Sequence, residues 1–66
     1  MSLSEFVRQQ RKHYKMTQRE LADRAGVGLR FIRELETGKP TLRMDKVNIV
    51  LDIFGHKLGP IPLKEE

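Results

Sequence analysis

Apolar residues along the chain recur at helical spacing, in groups separated by turn-forming residues. Phe6, Val7 and Tyr14 predict a first helix over about Ser4 to Tyr14. Ser4 is its expected N-cap, Glu5 suits its positive end, and Arg8, Arg11, Lys12 and His13 drift toward the other. Met1-Ser2-Leu3 are given no role, and Met16 returns to the core. Thr17 and Glu20 form a Thr-x-x-Glu capping box that opens a second helix, in which Leu21 and Ala25 share one face. Ala22 and Gly26 are small where another helix must approach, and Gly26 marks a helix stop with positive φ. Ile32 and Leu35 give a third helix, from Gly28 to Thr37, its apolar stripe. Lys39-Pro40-Thr41 is a loop, because proline cannot continue a helix, and Thr41 is a candidate cap for the next helix. Met44, Val47, Val50, Leu51 and Phe54 then predict a fourth helix over Arg43 to Phe54, ending at Gly55.

Two features disturb this regular plan. Ile49 and Ile53 lie four apart on a second face of the fourth helix, which needs cover from the tail or another subunit. His56 to Leu63 reads as extended chain, and its glycine and two prolines leave an edge strand or an irregular arm. The expected division is therefore a domain over 1–55 and an extended C-terminal arm over 56–66, with Lys64-Glu65-Glu66 disordered.

Composition narrows the chemistry. At 66 residues the chain is one small domain that buries little surface per residue and gains from a partner. With no cysteine, disulfides and thiolate metal sites are excluded, and His13 and His56 stand too far apart to suggest a metal. The formal charge of +4 favours a polyanionic partner. No apolar run approaches the ~20 residues of a membrane span, and no signal pattern opens the chain, so the expected location is cytoplasmic. Neither a nucleophile–base pair nor a phosphate-binding glycine loop is present, so neither enzymatic activity nor a cofactor is expected.

On the third helix, successive residues advance about 100°. With Ile32 taken as zero, Leu35 and Phe31 fall to one side and define the buried stripe, while Arg30, Arg33, Glu34 and Thr37 cluster opposite and face outward. Glu36 falls near the apolar boundary, where an unpaired carboxylate is costly.

The string Thr17-Gln18-x-x-Leu21-Ala22, Gly26-Val27, Ile32-x-x-Leu35-Glu36-x-Gly38 resembles the xenobiotic-response-element (Cro and phage-repressor-like) helix-turn-helix family. The resemblance implies an all-α, four- to five-helix, lambda-repressor-like domain whose third helix enters the DNA major groove. Gly28, Leu29, Arg30 and Arg33 match base-contacting positions. Arginine can grip guanine O6 and N7 bidentately, leucine can pack on a thymine methyl, and each arginine has a phosphate contact as its alternative. Gln18 and Arg19 on one side, and Thr37, Gly38, Lys39 and Thr41 on the other, suit phosphates. Glu34 has Arg30 as a potential partner. The matching arginine in relatives pairs with the glutamate, so Arg11 and Glu36 are expected to form a structural ion pair; the alternative leaves both solvated. Gln10 and Lys15 depart from the family's usual apolar residue and glycine or asparagine.

From Glu36-Thr37-Gly38-Lys39-Pro40-Thr41 onward the chain resembles the HipB-like antitoxins, whose C-terminal strand helps form the dimer. That implies a homodimer, with Ile49, Ile53, Leu58 and Ile61 as dimerisation residues, reading an inverted-repeat operator in double-stranded DNA. The function expected is a repressor, nucleoid-associated when bound, serving as the autoregulating antitoxin of a HipA-like kinase toxin. Alternatives are a stand-alone phage- or plasmid-type repressor, an RNA binder, or an adaptor that uses the fold without DNA.

Overall fold

Four left-handed residues cut the chain into helices. In the computed structural model, which describes residues 1–63, α1 runs over Leu3–His13, α2 over Gln18–Ala25, α3 over Leu29–Thr37 and α4 over Met44–Ile53. The expectation for Lys64-Glu65-Glu66 lies outside the described residues. No strand occurs among the described residues, so the fold is all-α with four helices.

Each helix stops in the same way. Lys15, Gly26, Gly38 and Gly55 have φ of 56°, 71°, 86° and 72°. Around Gly26, the Val27 N–H donates to Ala22 O at 3.0 Å and the Gly26 N–H to Asp23 O at 3.3 Å. Residues 15–16, 38–39 and 55–56 repeat this crossed pair, the Schellman pattern that satisfies the last carbonyls of a helix.

The starts divide into two kinds. Thr17 and Glu20 form the reciprocal box expected of them, with N–H to side-chain distances of 3.0 and 2.7 Å. The same device starts α1, but at Ser2 rather than Ser4: Ser2 Oγ accepts from the Glu5 N–H at 3.2 Å, and Glu5 Oε1 accepts from the Ser2 N–H at 2.9 Å. Ser-x-x-Glu spacing selects Ser2, because Glu5 reaches back three residues and Ser4 is too near it. Gly28 and Arg43 cap α3 and α4 without a side-chain bond, so Thr41 does not serve as the cap.

Val7 of α1, Leu21 and Ala22 of α2, Ile32 and Leu35 of α3, and Val47, Val50 and Leu51 of α4 form the core with Phe54. Helix α3 packs against both α1 and α2, and α2 also packs against α4. Two residues expected inside are not. Tyr14 falls in the turn after α1, is 58% exposed, and stacks on the Phe54 ring from outside at 5.9 Å. Met44 begins α4 on its outer side and is 71% exposed, and Leu42 packs against the core beside it. Nor does the packed unit stop at residue 55. The His56 N–H closes the last turn of α4, the Leu58 N–H donates to Asn48 Oδ1 at 2.7 Å, and the Leu58 side chain packs against the core.

Candidate nucleic-acid interface

Helix α2, the three-residue turn Gly26-Val27-Gly28 and helix α3 form a rigid corner. A left-handed Gly26 reverses the chain, Val27 tucks against the core, and Gly28 restarts it in extended conformation. Ile32 and Leu35 are fully buried, which fixes the rotation of α3 and turns the side of Arg30 and Arg33 to solvent. The outward face is cationic, with Arg30 and Arg33 on the helix and Lys39 just beyond it, all exposed.

A buried carboxylate sets the angle of this corner. Glu36, only 3% exposed, accepts from Arg11 Nε at 2.7 Å and Arg11 Nη2 at 3.1 Å, and from Gln18 Nε2 at 3.1 Å. Arg11 Nη1 also donates to Met16 O at 2.8 Å, and Arg8 Nη1 donates to Glu36 O. One glutamate therefore joins the C-terminal half of α1, the start of α2 and the end of α3. Arg8 at the same time satisfies one of the carbonyls that α3 leaves free at its end. No buried side-chain polar atom among the described residues lacks a partner. Sequence reasoning reached Arg11 and Glu36 but missed Arg8 and Gln18. The signal for Arg8 was its spacing of three from Arg11, which puts both on one face of α1.

The remaining site residues divide by what their side chains already do. Arg19 is exposed at the start of α2, and its backbone N–H and that of Gln18 have no partner among the described residues. Gln18 offers a phosphate mainly this N–H, because its side-chain amide is turned to Glu36. Leu29 is partly buried against the core, so only part of it faces outward as a thymine contact requires. Thr37 Oγ1 donates to Glu34 O at 3.1 Å, which leaves its oxygen as an acceptor but commits its proton. Lys39 Nζ and Arg30 Nε both approach Glu34 Oε2, at 3.4 and 3.3 Å. On α4 and the arm, Ile49 is 46% exposed, Ile61 is exposed, and Ile53 and Leu58 are half-buried against the core.

Two helices joined by a glycine turn, the second with an open basic face, define a helix-turn-helix protein. The chain belongs to the helix-turn-helix family: a family model of the Cro/C1 type matches residues 7–59. It is similar to y4mF of Sinorhizobium fredii, an uncharacterized HTH-type transcriptional regulator, with 54% identity over 50 residues. That similarity covers 76% of this chain and 66% of the relative, so the chain spans just under two thirds of the relative's length. No solved structure gives a significant match. No helix among the described residues is long and apolar enough to cross a membrane.

Proposed function

We propose that the protein is a sequence-specific DNA-binding transcriptional repressor acting as a two-fold homodimer on an inverted repeat. The observation that carries this reading is the exposed Arg30–Arg33–Lys39 face of α3, held at a fixed angle by the buried Glu36 network. Helix α3 enters the major groove with Arg30 and Arg33 toward base edges, each guanidinium able to grip one guanine. The free N–H groups at the start of α2, with Arg19, meet a phosphate on one side of the groove; the Lys39 ammonium meets one on the other, where Gly38 has no side chain to keep the backbone away. Leu29 and Gly28 permit close approach at the helix start. A dimer places two α3 helices one turn of DNA apart, about 34 Å, and covers both half-sites. Ile49, Ile53, Leu58 and Ile61 form its interface, which supports the reading by hiding the apolar surface of α4 and the arm. Repression follows by occupancy, so no chemistry is required.

Within this reading the chain is the autoregulating antitoxin of a HipA-like toxin. The string Glu36-Thr37-Gly38-Lys39-Pro40-Thr41 supports that assignment, as does the exposed C-terminal arm. The test is titration with DNA from upstream of the protein's own gene, beside an unrelated duplex, across a range of salt. Preferential binding to the upstream fragment, one dimer per inverted repeat, is expected, and Arg30→Ala with Arg33→Ala abolishes the preference. Equal, salt-labile binding to both duplexes overturns the operator reading. A gene for a kinase-like toxin beside this one is expected; its absence leaves the stand-alone repressor.

A further inference from the structure

We propose that Glu34 is a positioning residue that determines specificity on the α3 face, aiming Arg30 at base edges and withholding positive charge from phosphates. The inference rests on the DNA-binding reading above. A single oxygen, Glu34 Oε2, lies 3.3 Å from Arg30 Nε and 3.4 Å from Lys39 Nζ. The Arg30 side chain is 91% exposed and that of Glu34 only 28%, so the carboxylate is the fixed partner and the arginine the one it restrains.

Stability does not account for this arrangement. Arginine four residues before glutamate is the weaker orientation for a helical pair, and exposed pairs of this kind add little. Its geometry matters more for recognition. Arg30 is held through Nε, which leaves the Nη1 and Nη2 donors at the tip of the guanidinium free and side by side. That pair matches the O6 and N7 acceptors of guanine in the major groove. Restraining the long Arg30 side chain beforehand also reduces the entropy lost when it binds.

The same carboxylate acts against the wrong DNA. A duplex that offers only phosphates meets Arg30, Arg33 and Lys39 with one negative charge already among them. Lys39 must leave Glu34 to reach a phosphate, and Glu34 itself repels the backbone. A site with guanine in register offsets these costs through Arg30, while an unrelated site does not. Glu34 therefore lowers affinity for all DNA and raises the ratio between right and wrong sequences.

The experiment compares wild type, Glu34→Gln, Arg30→Ala and the double variant. Each is titrated across salt against a duplex that wild type enriches from a random pool and against an unrelated duplex. Glutamine keeps the size of the side chain at a surface site, and an unchanged melting temperature checks the fold. Glu34→Gln is expected to bind the unrelated duplex about 3- to 10-fold more tightly, with the log affinity against log salt slope steeper by about one. Its preference for the enriched duplex falls about 2- to 5-fold. With Arg30 already replaced, Glu34→Gln should leave the preference unchanged, because the pair is gone. A preference untouched by Glu34→Gln, or reduced equally with and without Arg30, overturns the inference and leaves the DNA reading intact. Wild type that enriches no sequence removes the DNA reading, and this inference falls with it.

Discussion

Glu36 is the residue on which the arrangement of the helices depends most. Its carboxylate is nearly fully buried, and three N–H donors from two side chains compensate its lost hydration. Such a group fixes geometry more than it stabilises, but stranding it is expensive. Arg11→Met is therefore expected to destabilise the domain by about 3–5 kcal/mol in urea unfolding. Adding Glu36→Leu should recover much of that loss, because no buried charge then remains. A single variant as stable as wild type would show that the pair is solvated in solution. Glu5 presents the opposite, exposed case. Hydrogen bonds with Ser2, to its backbone first and its side chain second, hold the carboxyl below the ordinary value of 4.5. Because its folded pKa lies lower than its unfolded one, its contribution to stability is present in full above about pH 4.5 and fades as pH falls through the folded value. The stability difference between wild type and Glu5→Gln should follow that course, and a difference independent of pH would contradict it.

At the scale of elements, the helix ends are more uniform than the helix starts. All four helices close with the same crossed hydrogen bonds about a left-handed residue, and only α1 uses a side chain with a Cβ there. Lys15 at φ 56° carries a steric cost that glycine avoids. Lys15→Gly should raise stability by about 0.5–1 kcal/mol, after the greater freedom of glycine in the unfolded chain is offset. Thermal unfolding measures this, and a lower melting temperature would contradict it. These ends were legible in the sequence because glycine, or a residue standing in its place, follows each apolar stripe. The starts of α1 and α4 were less so. Ser2 and Ser4 are both good caps, and only the reach of Glu5 decides between them. Met44 fits the apolar period of α4, but it precedes the turn at which that helix meets the others. Period places a residue on a face; it does not say where along the helix the packing begins.

At the scale of the molecule, the proposed function assigns the basic face of α3 to DNA and the apolar residues on α4 and the arm to a second copy of the chain. The rotation of α3 could be read from Ile32 and Leu35, so the exposure of Arg30 and Arg33 was legible. The tie from Gln18 to Glu36 was not, because it depends on how the helices converge; for Arg8 the spacing from Arg11 gave the face of α1 but not the carbonyl it reaches. Ile49 lies exposed on α4, away from the core. Sedimentation of the wild type should give a dimer, and Ile49→Glu should shift it toward monomer and weaken binding to an inverted repeat far more than to a half-site. An Ile49→Glu protein that stays dimeric would place the interface elsewhere. The most direct test of the DNA face itself is amide chemical-shift mapping during titration with a duplex containing the upstream sequence. The account predicts the largest shifts at Gln18–Arg19, Gly28–Arg33 and Thr37–Thr41, diminishing as salt is raised. Shifts confined to α4 and the arm, with α3 silent, would contradict it.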